Sequence, residues 1–140
     1  MRLILMRHGN CKGLAEEIIN GWRDFPLTAK GKKEPITSAN NIEKLLGKTK
    51  IDKAYSSYLS RTYDTANIFC NTLNFKGRVK QDIRLNERHY GMFQGMSKYD
   101  ARAFKEYNTL SESLYYCSNY YQSRLYWLYY KIVYRQTWYS

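Results

Sequence analysis

The first hundred residues alternate short apolar runs with longer segments of helical periodicity. An apolar run at residues 2–6 is ended by Arg7, His8 and Gly9, a pattern typical of a buried strand that delivers a loop. Two more short strands are predicted at residues 53–55 and 78–83. Strands that alternate with helices predict an α/β fold with a mostly parallel sheet and helices on both faces. Ligands bind such sheets at the carboxyl ends of the strands, where Arg7 and His8 would emerge.

The longest predicted helix follows Thr28 and reaches Leu46. Thr28 is a favourable N-cap residue, and Gly47 is a favourable stop. Pro35 lies inside this segment and lacks the N–H that a helix interior uses. Its presence predicts a cost of about 3 kcal/mol unless the helix is kinked there.

Two further helices are predicted from spacing. One begins at Ser60, and four apolar residues share a face at three- and four-residue intervals, namely Ala66, Phe69, Cys70 and Leu73. The other runs from Lys98 to Tyr107. The resulting domain occupies residues 1–110.

Residues 111–140 differ from the rest of the chain. They hold nine tyrosines and two tryptophans, only four charged residues, and no Gly or Pro. Neither helical nor strand periodicity organises the aromatic residues, so this segment stays without a predicted element. We expect it to pack poorly, to favour self-association and to be cut early by proteases. A truncated or frame-shifted origin of this segment is left open.

Composition narrows the class of protein. No segment resembles a signal peptide or a membrane span, and three widely spaced cysteines form no disulfide framework, so a soluble cytoplasmic protein is expected. The net charge of +11 is compatible with a solvated lysine surface, an anionic small-molecule substrate or nucleic acid. No zinc spacing or nucleic-acid signature is present, so nucleic acid is the least favoured partner, and no membrane partner or metal is expected.

His8 is the first candidate for chemistry. Imidazole is a nucleophile near neutral pH because its pKa lies near 6.5, and a phosphoryl group on it would need arginine donors. Arg7 precedes His8 directly, and Gly9 lets the backbone approach a phosphate closely.

Four segments together resemble a known family. Arg7-His8-Gly9 resembles the RHG motif of the histidine phosphatase superfamily. Residues 21–31, with Gly-Trp-Arg-Asp-Phe-Pro-Leu-Thr, resemble a stretch of its phosphoglycerate mutase branch. Residues 55–57 with Arg61 and Thr65 resemble the segment that supplies a second phosphate-binding arginine. Residues 84–91, Arg-Leu-Asn-Glu-Arg-His-Tyr-Gly, resemble a motif characteristic of cofactor-dependent phosphoglycerate mutases.

The resemblance implies an isomerase of glycolysis. It would interconvert 3-phosphoglycerate and 2-phosphoglycerate through a phosphohistidine on His8, with 2,3-bisphosphoglycerate as the phosphoryl primer. Glu87 would be the general acid and base. The remaining implied residues hold phosphate and carboxylate groups of the substrate: Arg7, Asn20, Gly21, Arg61, Arg88, His89, Tyr90 and Lys98.

The sequence also departs from the family pattern, and the resemblance implies a domain that is incomplete at its C-terminal end. Leu14 stands where the family has a phosphate-binding asparagine. The chain contains only two histidines, His8 and His89, so the family's second catalytic histidine is missing. Activity, mutase or phosphatase preference and oligomeric state therefore remain open. The alternatives are a general histidine-type phosphomonoesterase and a non-catalytic remnant that binds anions.

Overall fold

The computed structural model describes residues 2–48 and 50–109. Two units are distinguished among these residues, one formed by Met6–Lys98 and the other containing residues 2–5 and 99–109. All candidate site residues named above belong to the first unit. The tyrosine-rich segment 111–140 lies outside the described residues, and the predicted boundary near residue 110 stays a prediction.

The first unit contains a parallel two-stranded sheet, which confirms the predicted α/β class. Strand β1 is Ala54–Ser56 and strand β2 is Val79–Gln81, with Ala54 opposite Val79 in the parallel register. The crossover between them is helix α3, Ser60–Thr72, which packs on both strands. This is a βαβ unit, so the segments that follow β1 and β2 leave the sheet at the same edge.

Helix α2 begins and ends where the sequence predicts. It spans Ala29–Leu46, the hydroxyl of Thr28 accepts a hydrogen bond from the backbone N of Gly31, and Gly47 terminates it with a φ of 72°. Its buried residues Gly31, Pro35 and Ala39 recur every fourth position, and α2 packs on α3.

Pro35 is accommodated without ending α2. Proline cannot donate the bond that the carbonyl of Gly31 would normally accept one turn earlier. That carbonyl instead lies against Gly9, where an added Cβ would be only 2.2 Å from the Gly31 oxygen. The missing helical bond therefore coincides with the contact between α2 and the His8 loop.

Helix α3 also confirms its predicted start, and Phe69, Cys70 and Leu73 are buried as predicted. The residue before it, Leu59, provides no side-chain cap. The cap comes from Asp24, whose carboxylate accepts from the backbone N of Ser60 at 2.9 and 3.0 Å and from its hydroxyl at 3.0 Å. A distant loop thereby fixes the first turn of α3.

The short helices complete the described elements. Helix α1 is Lys12–Ala15, and 3₁₀ turns cover Ile83–Leu85 and Gly91–Phe93. The predicted helix 98–107 is interrupted: α4 is Lys98–Ala101, a turn follows, and helical geometry returns at residues 105–109. No helix within the described ranges is long and apolar enough to cross a bilayer.

The predicted strand at residues 2–6 is wrong. These residues adopt no regular structure, and Leu3 and Leu5 are 56% and 65% exposed. A strand requires a neighbour to satisfy its backbone groups, and the sheet of the described residues has only two strands. The loop that follows His8 is held by side chains of α2 and α3, as described next, instead of by the end of a strand.

Candidate active site

His8 lies in a half-buried position with a defined tautomer. Its Nδ1 is 2.8 Å from the carbonyl oxygen of Gly9. Because a carbonyl can only accept, Nδ1 carries the proton, and the lone pair of a neutral ring is on Nε2. This arrangement leaves Nε2 as the ring atom whose lone pair can bind a ligand.

The pKa of His8 is shifted in a direction that favours the neutral ring. Burial, the largest cause, lowers it from 6.5, while the hydrogen bond to Gly9 raises it. The positive charges of Arg61 and Arg7 lower the pKa further, and Glu87 raises it. Burial and the two arginines therefore favour the neutral ring of His8, and three charged residues of the predicted site lie within electrostatic range of it.

Arg61 is the most deeply buried charged residue of the first unit, with 0% exposure. It lies in the first turn of α3, directly after β1. Its Nη2 donates to the carbonyl of Gly21 at 2.7 Å, and its Nη1 donates to the carbonyl of Arg23 at 3.1 Å. Asp24 lies 3.8 Å away and adds a negative charge on the same side. The loop 21–24 therefore fixes the guanidinium from several directions.

Glu87 follows β2 and meets Arg61 at the common edge of the sheet. Its Oε2 accepts from Nη2 of Arg61 at 2.8 Å, and its side chain is 39% exposed. The backbone carbonyl of Glu87 accepts from the indole N–H of Trp22 at 2.5 Å. The residues that follow β1 and β2 thus converge at one edge, as the parallel sheet predicts.

Thr65 connects the His8 loop to the arginine. Its buried hydroxyl accepts from the backbone N of Gly9 at 3.0 Å and donates to the carbonyl of Arg61 at 2.6 Å. Arg61 and Thr65 are one helical turn apart on the buried face of α3. One side chain therefore links the backbone of the His8 loop to the backbone of Arg61.

The sequence profile of the histidine phosphatase superfamily (branch 1) matches residues 3–116. This chain belongs to that superfamily. Among curated proteins, it is 43% identical over 103 residues to a 2,3-bisphosphoglycerate-dependent phosphoglycerate mutase of Staphylococcus saprophyticus, covering 72% of this chain and 44% of the relative. The identity to the protein of that name from Borreliella burgdorferi is 41% over 103 residues, covering 73% and 41%.

Solved structures of the superfamily confirm the fold. A phosphoglycerate mutase from Bacillus anthracis superposes with a TM-score of 0.60 at 26% identity, covering 67% of this chain and 40% of that one. A mycobacterial glucosyl-3-phosphoglycerate phosphatase in complex with VO3 gives 0.60 at 27% identity, covering 69% and 45%. The chain spans about two fifths of the length of the curated mutases it matches.

The structure does not bring every predicted residue to His8. The side-chain N of Asn20 donates to the sulfur of Cys11 at 3.3 Å, which directs this amide into the protein. The guanidinium of Arg88 lies 5.2 Å above the ring of Tyr90. Lys98 begins α4, and its backbone N donates to the carbonyl of Glu17. The substrate-binding roles of these residues stay predictions.

His89 forms a second cluster with Trp22 and Gln94. Its ring meets Trp22 edge-on at 5.4 Å, and its Nδ1 accepts from the backbone N of Gly91 at 3.0 Å. The side-chain oxygen of Gln94 accepts from the backbone N of Trp22. This cluster orients Trp22, which in turn holds the backbone of Glu87.

Several residues that shape the site were not predicted to do so. Trp22, Asp24 and Thr65 entered the sequence analysis only as parts of motifs, and Glu34 was not singled out. Their contacts join positions 24 to 65 residues apart. The one local signal is the spacing of Thr28, Gly31 and Glu34, which places them on one face of α2.

We expect Thr65→Val to lower the free energy of unfolding by about 1–3 kcal/mol, because it leaves the buried N–H of Gly9 without an acceptor. Thr65→Ser keeps the hydroxyl and should retain most of this stability. Urea unfolding of both variants measures the difference. A loss in Thr65→Ser with none in Thr65→Val would show that the methyl group, and not the hydrogen bond, carries the effect.

Proposed function

We propose that His8 accepts a phosphoryl group on Nε2 from a phosphorylated small organic acid, as the phosphoryl-accepting part of a phosphoglycerate mutase site. The observation that carries this proposal is the bond from Nδ1 of His8 to the carbonyl of Gly9, which leaves Nε2 unprotonated. Burial lowers the pKa of His8, which keeps the ring neutral and nucleophilic.

Arg7 and Arg61 are proposed to neutralise the transferring group. Both charges act on His8, so an anion bound to Nε2 would lie in a positive field. Among the described residues, the Nε of Arg61 is buried without a hydrogen-bond partner. A phosphoryl oxygen would supply the acceptor that this donor lacks, since arginine pairs with phosphate through more than one N–H.

Glu87 is proposed as the general acid and base. Its Oε2 is held by Arg61, while the partial exposure of the side chain leaves it accessible to a substrate hydroxyl. Catalysis of this kind depends on positioning and charge stabilisation, and both are supplied by groups fixed to α3 and to the loop 21–24.

The names of the relatives and the motif at residues 84–91 favour mutase chemistry with 2,3-bisphosphoglycerate as the primer. A second candidate is phosphomonoester hydrolysis, which the likeness to a glucosyl-3-phosphoglycerate phosphatase favours. Either reaction passes through a phosphohistidine on His8. The two differ in whether a substrate hydroxyl or water removes the phosphoryl group.

The test uses radiolabelled 2,3-bisphosphoglycerate and the full chain. We expect acid-labile, alkali-stable label to accumulate on the protein. Accumulation should be slow because the chain lacks the family's second catalytic histidine. Adding unlabelled 3-phosphoglycerate should then move the label into phosphoglycerate for a mutase, or into inorganic phosphate for a phosphatase.

The two histidines of the chain provide a matched control. His8→Ala should abolish the labelling, whereas His89→Ala keeps the imidazole of His8 and should still become labelled there, at a rate lowered only by the loss of contacts that His89 makes. Label that persists in His8→Ala, or that is lost only in His89→Ala, would place the chemistry elsewhere and contradict the proposal.

A further inference from the structure

Glu34 contacts the loop that carries His8. It lies on the second turn of α2, and its Oε2 accepts from the backbone N of Asn10 at 2.7 Å. A hydrogen bond to an ionised acceptor is shorter and stronger than a neutral one. Neither the motif resemblance nor the proposed function gives Glu34 a role.

The N–H that Glu34 accepts belongs to the same peptide group as the carbonyl that His8 uses. The Gly9–Asn10 peptide donates from Asn10 N to Glu34, and its Gly9 oxygen accepts from Nδ1 of His8 at 2.8 Å. Because the peptide group is planar, fixing the direction of its N–H also fixes the direction of its C=O. Glu34 therefore acts on the imidazole through one rigid group.

We propose that Glu34 is a positioning residue that sets the tautomer and orientation of His8 through the Gly9–Asn10 peptide. The inference rests on the proposed function in that His8 is taken as the nucleophile. The effect on the tautomer itself does not depend on turnover. The arrangement resembles the way a carboxylate orients a catalytic histidine directly, with a peptide inserted between the two groups.

The rest of α2 supports this role of Glu34. Thr28, Gly31 and Glu34 lie on one face, and all three contact the same loop. The backbone N of Thr28 donates to the carbonyl of Asn10 at 2.9 Å, and its hydroxyl donates to the Asn10 side-chain oxygen at 2.9 Å. A Cβ on Gly31 would lie 1.8 Å from the Asn10 oxygen, so only glycine allows this approach. This face of α2 therefore contacts the His8 loop at three positions.

A simpler role for Glu34 would be to satisfy the N–H of Asn10 without consequence for His8. The two roles differ in what happens at the imidazole. If Glu34 only satisfies a donor, water can replace it, and the Gly9 carbonyl keeps its direction. If Glu34 orients the peptide, its removal lets the carbonyl turn away and allows the proton of His8 to move to Nε2.

The experiment measures the tautomer directly by two-dimensional ¹⁵N–¹H NMR of the imidazole nitrogens in the unphosphorylated full chain. His89→Ala identifies the His8 signals, since these are the two histidines of the chain. In the wild-type chain, we expect neutral His8 with the proton on Nδ1. In Glu34→Ala, we expect a large share of the Nε2–H tautomer and roughly a 10-fold slower labelling of His8.

Glu34→Gln is the conservative variant, because its amide oxygen still accepts from Asn10 N. It should keep the Nδ1–H tautomer and label His8 within about 3-fold of the wild-type rate. Glu43→Ala removes a carboxylate from the last turns of the same helix, away from the loop, and should match the wild-type chain in both measurements.

Three results would overturn the proposal: an Nε2–H tautomer in the wild-type chain, an unchanged tautomer in Glu34→Ala, or equal loss in Glu34→Gln and Glu34→Ala. The first needs no substitution at Glu34, so the proposal is testable even if Glu34→Ala does not fold. If the wild-type chain shows the Nδ1–H tautomer and Glu34→Ala loses it, the role of Glu34 is supported. If the chain also never becomes labelled, only the proposed function is contradicted.

Discussion

Replacing Arg61 with Ala is expected to slow phosphorylation of His8 by a large factor and to destabilise the fold. The guanidinium supplies positive charge to His8 and bonds to the carbonyls of Gly21 and Arg23. Loss of one preorganised donor typically slows reactions of this kind by 10²–10³-fold, so we expect labelling to fall by roughly that factor.

The cost in stability follows from burial. Arg61 is fully buried, so its removal leaves two carbonyls without their donor and the carboxylate of Glu87 without its partner. Each unsatisfied group costs about 1–3 kcal/mol, and water reaches the half-exposed Glu87 and reduces its share. We expect a total loss of about 3 kcal/mol in the free energy of unfolding, measured by urea titration.

Arg61→Lys separates the two effects. The single ammonium group of lysine cannot reach all the acceptors that the planar guanidinium spans. The lysine side chain keeps the positive charge and much of the buried aliphatic chain. It should retain more stability than Arg61→Ala while still labelling slowly. Arg84→Ala is the matched control: Arg84 is exposed and pairs with Asp82, and its removal should barely move the urea midpoint. Labelling of Arg61→Ala at the wild-type rate would show that Arg61 is a structural residue only.

The elements that the sequence predicted correctly depend on local interactions. Helix α2 has its Thr28 cap and its Gly47 stop within its own segment, so both ends were found. The strand predicted at residues 2–6 depends on a partner strand far along the chain, which a run of apolar residues cannot identify. The apolar run correctly identified hydrophobic residues, but it did not show whether they pair with another strand.

The site shows the same division between local and distant information. The family resemblance predicted His8, Arg61 and Glu87 as site residues, because each lies within a short stretch of sequence that forms a recognisable motif. It could not show that Asp24 caps α3 or that Thr65 holds Gly9, since these bonds join residues 36 and 56 positions apart. Such contacts become visible only when the helices are packed against the loops that they hold.

Replacing Gly31 with Ala is the second change for which we expect a large effect. We expect it to lower stability, whereas helix propensity alone would raise stability. Within a helix, Ala is normally about 1 kcal/mol more favourable than Gly. Here the added Cβ would lie 1.8 Å from the backbone oxygen of Asn10, a group that cannot move without disturbing the His8 loop. Crowding of this kind typically costs 1–3 kcal/mol or more, so we expect a net loss of stability of about 2 kcal/mol.

Asn40→Ala provides the comparison in the same helix, at an exposed position. It should raise the urea midpoint slightly, because alanine has a higher helix propensity than asparagine and position 40 is exposed. Gly31→Ala should lower the midpoint and also slow labelling of His8, because the displaced Asn10 shares its peptide with the Gly9 carbonyl. If Gly31→Ala instead raises the midpoint as Asn40→Ala does, the close approach of α2 to the loop is absent in solution. The positioning of His8 by this face of α2 would then be contradicted as well, since Thr28, Gly31 and Glu34 reach the loop together or not at all.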